Sequence, residues 1–186
     1  MLRSTDAGLT WVELPPYEAR SVHPSLNYIT DHTLYVLGGD PAIGRQVFWR
    51  STDAGETWTI YAHDLLPPNF EINELVPLDA DTVYASRRSI GGLSTPEQGL
   101  LRTTDVGVTW TQLYFGRVYG LAVSPQFASD QTLLISPGDY KASYGIAKST
   151  DGGQTWSPRN EGLVVHNPGT QISWIQFAPD STGNQT

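Results

Sequence analysis

Apolar residues along this chain come in runs of only a few, each interrupted by Gly, Pro or a polar turn, and no stretch sustains the i, i+3, i+4 spacing of an amphipathic helix. The runs are strand-length. In LAVSPQFASDQTLLIS an apolar run meets a polar turn and resumes at a Thr followed by an apolar pair, and WIQFAPDSTGNQT has the same cast. A full repeat then reads as four short strands: an apolar run, a Thr-led run after the turn, a strand entering a polar box and a strand leaving it. Within 116–158 these are expected from Val118 to Ser124, Thr132 to Ser136, Gly145 to Ser149 and Thr155 to Ser157. The pattern predicts an essentially all-β chain.

The box itself occurs four times without gaps, as STDAGLTW from Ser4, STDAGETW from Ser51, TTDVGVTW from Thr103 and STDGGQTW from Ser149. Its tryptophans, Trp11, Trp58, Trp110 and Trp156, stand 47, 52 and 46 residues apart. A period of that size with strand-like segments points to propeller blades, whose repeats run to about 40–50 residues. Weaker markers lie between the boxes: prolines at Pro24, Pro77, Pro125 and Pro179, and threonines at Thr33, Thr82, Thr132 and Thr186.

Each residue type in the box has a physical reason to recur. An Asp carboxylate can accept backbone N–H groups a few residues on and so close a tight turn. The glycine two positions later suits a positive φ. The Trp offers an apolar plate for the gap against a neighbouring blade, so all four are expected to be largely buried. One such staple per hairpin accounts for Asp6, Asp53, Asp105 and Asp151 without a metal, since the further oxygen ligands of a calcium loop are missing.

The box resembles the Asp-box, or BNR, repeat of sialidases, sortilin-type receptor domains, xyloglucan-hydrolysing endoglucanases and photosystem II assembly factors. That resemblance implies a β-propeller of four-stranded antiparallel blades, with the boxes on the blade periphery as structural turns. The structural set is then Asp6, Gly8 and Trp11; Asp53, Gly55 and Trp58; Asp105, Gly107 and Trp110; and Asp151, Gly153 and Trp156. The repeats divide the chain into a partial blade over 1–17, blades over about 18–62, 63–115 and 116–158, and the start of another over 159–186. From this register an incomplete arc of about three full blades plus partial blades is expected, self-associating through its open end blades. A secreted or cell-envelope setting is implied by the family alone.

Charge narrows the partners. The chain carries a formal net charge of -8 with a pI near 4.8, which disfavours a phosphate backbone or an anionic membrane, so no nucleic acid is expected. There is no cysteine, hence no thiolate metal site or Cys nucleophile. His23, His32, His63 and His166 show no ligand spacing, so neither metal nor cofactor is expected. The apolar runs fall far short of the roughly 20 residues needed to span a bilayer, and the first eleven residues hold no apolar stretch of the signal-peptide kind.

Candidate ligand-binding residues fall in the loops that a propeller turns toward its channel: Arg45 after a Gly-rich turn, the adjacent pair Arg87 and Arg88, Arg117 with Tyr119, and Asp139, Tyr140 and Lys141. An enzyme would use the arginines on a carboxylate, Asp40 or Asp139 as an acid and Tyr119 or Tyr140 as a nucleophile. Against it, the Arg-Ile-Pro motif that accompanies sialidase boxes is absent and no paired carboxylates stand out. The reading is a non-catalytic propeller scaffold that binds a protein or glycan through its loop face. The alternative is part of a glycoside hydrolase whose catalytic residues lie mostly on other blades.

Overall fold

The computed structural model describes residues 1–15, 19–40, 45–61, 70–90, 96–138, 145–163 and 172–178. A two-stranded ribbon of β1 (Leu2–Arg3) and β2 (Val12–Glu13) opens the chain. The first four-stranded sheet holds β3 (Ala19–Pro24), β4 (Leu34–Asp40), β5 (Arg45–Ser51) and β6 (Thr59–Tyr61). The second holds β7 (Phe70–Pro77), β8 (Val83–Ser89), β9 (Gly99–Thr103) and β10 (Thr111–Phe115), and the third β11 (Val118–Val123), β12 (Leu133–Pro137), β13 (Ala147–Ser149) and β14 (Ser157–Pro158). In each, every strand pairs with its sequence neighbour, the meander expected of a propeller blade. Two single helical turns, α1 (Tyr28–Asp31) and α2 (Phe127–Asp130), are the only helices among the described residues.

By compactness the chain forms two units. One comprises 1–69, 77–84 and 103–110, the other 70–76, 85–102 and 111–186. The first unit is built on β4 and β5, where Val36, Val47 and Trp49 are buried and Met1, Ala19 and Trp58 pack against them. A continuous buried stretch such as Tyr35 to Leu37 is what a strand covered on both faces requires. Phe48 stacks on Tyr61 at 6.1 Å and meets Trp110 edge-on at 6.4 Å. Buried Tyr35 donates a hydrogen bond from its hydroxyl to the Ala80 carbonyl at 2.7 Å. In the second unit Leu121, Leu133 and Ile135 are buried, and Trp156 meets Tyr114 edge-on at 6.0 Å while donating its indole N–H to the Leu113 carbonyl.

The four boxes are near-identical hydrogen-bonded devices. The leading Ser or Thr hydroxyl donates to the Asp carboxylate at 2.7–2.8 Å and accepts the glycine N–H at 2.7–2.8 Å. The Asp in turn accepts the N–H of the Thr four residues on at 2.8–2.9 Å and its hydroxyl at 2.5–2.6 Å. These bonds favour the ionised form, the Thr hydroxyl first among them, and hold Asp6, Asp53 and Asp151 at a pKa of about 2. Gly8, Gly55, Gly107 and Gly153 have φ between 86° and 94°, as the sequence required, and their predecessors Ala7, Ala54 and Val106, less expectedly, also have positive φ, at 57–60°.

That second residue has its own task. Its N–H reaches the turn between the first two strands of its blade: Ala54 to the His32 carbonyl, Val106 to Asp81 and Gly152 to Gln131, each at 3.0 Å. The receiving turns carry carboxylate staples of their own. Asp31, Asp79 and Asp130 accept the N–H of Thr33, Thr82 and Thr132, and Asp31 and Asp130 also take the hydroxyls of Ser25 and Ser124. Equivalent backbone bonds from Ser25 to Thr33, Leu78 to Thr82 and Ser124 to Thr132 fix the register. By these bonds Pro24 and Pro77 correspond to Val123, so Pro125 is not the equivalent proline, whereas the three threonines are equivalent.

One box departs from expectation in packing. Trp58, Trp110 and Trp156 are half-buried, and apolar side chains crowd their glycines, Leu14 near Gly55, Phe48 near Gly107 and Leu113 near Gly153. Only Trp11 lies near Gly8, and Trp11 is 59% exposed. The bonds close the first box, but among the described residues no side chain from outside the box comes as near its glycine.

Two outcomes follow. Val106→Gly should raise stability by about 1 kcal/mol in chemical denaturation, because a β-branched residue at φ 60° is strained and glycine is not. Asp53→Asn should lower the melting temperature at neutral pH. The depressed pKa means that the ionised box is fully stabilising above the ordinary carboxylate value and loses this as pH falls toward about 2. The gap between variant and wild type should therefore narrow on acidification, as followed by scanning calorimetry.

Candidate functional site

The second unit contains a pocket of about 330 Å³ at the start of β7, the end of β8 and the start of β11. Glu71 and Asn73, two apart on β7, point to one face, as strand alternation requires. Arg88 closes on Glu71 in an ion pair, its Nε donating to Oε1 at 2.6 Å, and Ile90 stands at the rim, 62% exposed. From the other side come Arg117 and Tyr119. The Arg117 guanidinium lies 5.7 Å from the Tyr119 ring centroid, donates to the Tyr119 hydroxyl at 3.1 Å and reaches the Gln98 side-chain oxygen at 3.4 Å.

Tyr119 owes its place to a β-bulge. Val118 pairs with Pro137 and Gly120 with Ser136, so Tyr119 is the extra residue, released from the β12 ladder. Its carbonyl accepts the Asn73 side-chain N–H at 3.4 Å. Gly138 makes room for the ring: a Cβ there would collide with Tyr119 Cε2 and Cδ2. Two guanidiniums and one carboxylate give the pocket a positive balance on an acidic chain, suited to a ligand with a carboxylate and an apolar portion.

Of the residues expected to bind ligand, Arg88, Arg117 and Tyr119 meet here. Arg87 does not line the pocket; its Nε donates to the Glu97 carbonyl at 2.6 Å, its guanidinium lies 5.2 Å from the Phe70 centroid, and burial lowers its pKa. Arg45 opens β5, opposite Asp40 at the end of β4, and its side chain lies outside the described residues, as do Asp139, Tyr140 and Lys141. Sequence reasoning missed Glu71 and Asn73, whose one signal was a polar alternation at the head of an otherwise apolar first strand.

A broader depression of about 590 Å³ in the first unit is bordered by Asp31, Asp79 and Asp81. Turn amides occupy Asp31 and Asp79, and Arg50 pairs with Asp81 at 3.2 Å. Among the described residues no group of three or more His, Asp or Glu is arranged to hold a metal, and no helix is long and apolar enough to cross a membrane.

Residues 147–158 match the family model described as BNR/Asp-box repeat. The four-stranded sheets have the propeller-blade fold, and the matched segment of the third is an Asp-box repeat. The fold is shared with YCF48 from Cyanidioschyzon merolae, at TM-score 0.56 and 18% identity over 95% of this chain and 52% of that one. It is shared also with YCF48 bound to D1 peptide, at TM-score 0.51 and 18% identity over 86% and 47%. The Hadza microbial sialidase Hz136 gives 0.50 and 17% over 85% and 39%. The Asp-box chain thus spans about half the length or less of these structures, and at such identity the likeness is one of fold. No curated protein matches it in sequence.

Gly138→Ala should leave the Asp-box fold intact but swing the Tyr119 ring off Arg117. A change in near-ultraviolet circular dichroism at an unchanged far-ultraviolet spectrum is the expected result.

Proposed function

We propose that this Asp-box chain is a non-catalytic binding module that holds a carboxylate-bearing peptide segment of another protein in the pocket of its second unit. The observation that carries the reading is the convergence of Arg117, braced on Tyr119, with the Arg88–Glu71 pair and Asn73 around one concavity. Cations braced on an aromatic and an ion pair are prepared for a carboxylate and lose little freedom on binding it. The exposed Ile90 beside them suits an apolar side chain. A structure of the same fold, YCF48, holds a D1 peptide, which supports a peptide as the ligand class.

A glycoside hydrolase with a carboxylate pair needs a second carboxylate near the first, and one with a tyrosine nucleophile needs an acid beside the tyrosine. Among the described lining residues the one carboxylate is Glu71, and it is engaged by Arg88.

The test is an array of short peptides with free C-termini beside an array of sialylated glycans and β-glucans, followed by calorimetric titration of the best hit. Arg117→Ala should weaken peptide binding about tenfold or more, the usual loss for a charge-assisted bond. Binding to glycans alone would overturn the peptide assignment, and release of sugar that Tyr119→Phe abolishes would overturn the non-catalytic one.

A further inference from the structure

The first strand of each sheet is an edge strand, and in the described residues the outer edge of β11 meets side chains from β7. At corresponding positions in the three first strands, counted back from Ser25, Leu78 and Ser124, stand Ser21, Glu74 and Gly120. Two are small; the third is a long carboxylate. Glu74 sends Oε2 to the Leu121 N–H at 2.5 Å, while Asn73 beside it takes the Tyr119 carbonyl. The Glu74 N–H is itself held by the Ser86 hydroxyl at 3.1 Å. Gly120, between the two gripped groups, has Trp174 and Ile175 against its bare Cα, where a Cβ would come within 3.3 Å of Ile175. The bulged head of β11, which carries the pocket's Tyr119, is therefore held from β7 on one side and packed by 172–178.

We propose that Glu74 is a positioning residue: by taking the Leu121 N–H it sets the bulged head of β11 so that Tyr119 and Arg117 meet a ligand in register. This rests on the binding reading above and adds its regulation. Burial raises the Glu74 pKa to about 7, and the Leu121 bond only partly opposes it. The charged groups on the neighbouring elements are Glu71 on β7, Arg87 and Arg88 on β8, Arg102 on β9 and Arg117 before β11, and it is burial that raises the carboxyl. Ionised Glu74 is the stronger acceptor, so the β11 head is held more firmly above neutrality and released below it. The sign for global stability is opposite. A carboxyl with a raised folded-state pKa stabilises most when protonated, and that contribution fades as pH rises from the ordinary carboxylate value through about 7. The chain thus carries a buried charge at a cost to its fold, in a position where sibling repeats carry Ser or Gly.

The experiment is a pH titration of the full chain by NMR, with the array-selected peptide added in a second series. The Leu121 amide and the Arg117 Nε–H should shift together with a midpoint of about 7. The step should vanish in Glu74→Gln, which keeps an acceptor but no proton to lose, and persist in His166→Gln. Peptide affinity should fall about fivefold from roughly pH 8 to pH 6 in the wild type and stay level in Glu74→Gln. Glu74→Gln should also melt higher than wild type at pH 8. A step that survives Glu74→Gln, or a Leu121 shift with Arg117 unmoved, overturns the proposal, the latter reducing Glu74 to a strand clamp. If no peptide is selected, the binding reading fails while the two ligand-free resonances still decide the role of Glu74.

Discussion

A carboxylate that accepts the N–H and the hydroxyl of a threonine four residues on closes the box turn of the opening ribbon and of each of the three sheets among the described residues. The rest depends on that bond set. With the turn closed, the residue after the Asp is driven to positive φ, and its freed N–H points at the turn between first and second strands, where His32, Asp81 and Gln131 receive it. Four short strands that could not be stable as separate hairpins become one sheet locked across one end. Side chains at the other end are left to vary.

Much of this was legible because the box concentrates its chemistry in eight consecutive residues. Asp, Gly and Thr at fixed offsets state their own hydrogen bonds, and the strands follow from where the boxes fall. The second staples at Asp31, Asp79 and Asp130 were not legible, since the Asp closes a helical turn two residues before its Thr in two cases and stands three residues before it, with no helix, in the other. The exposure of Trp11 was hidden for a different reason: burial of a box Trp depends on what packs around it, and the box motif itself says nothing of that.

The site was half legible. Arg88, Arg117 and Tyr119 could be picked as charged and aromatic residues in loops, but their meeting depends on a one-residue bulge in β11 that no local pattern announces. Glu74 was invisible because its role lies across a gap between sheets, on a partner 47 positions away. Arg87 was singled out beside Arg88, yet neighbouring strand residues face opposite ways, and it spends its charge on Glu97 and Phe70 instead.

The third sheet shows the two roles kept apart. Its box ties to Gln131 beyond the end of β11, while Arg117 and Tyr119 flank that strand's beginning. A blade of this design is a cassette with its fastening at one rim and its payload at the other. Transplanting the 71–73, 88–90 and 117–119 segments together onto two adjoining Asp-box blades would then carry over the lining of the pocket without touching the fastening, and drift at that rim would leave folding largely unaffected.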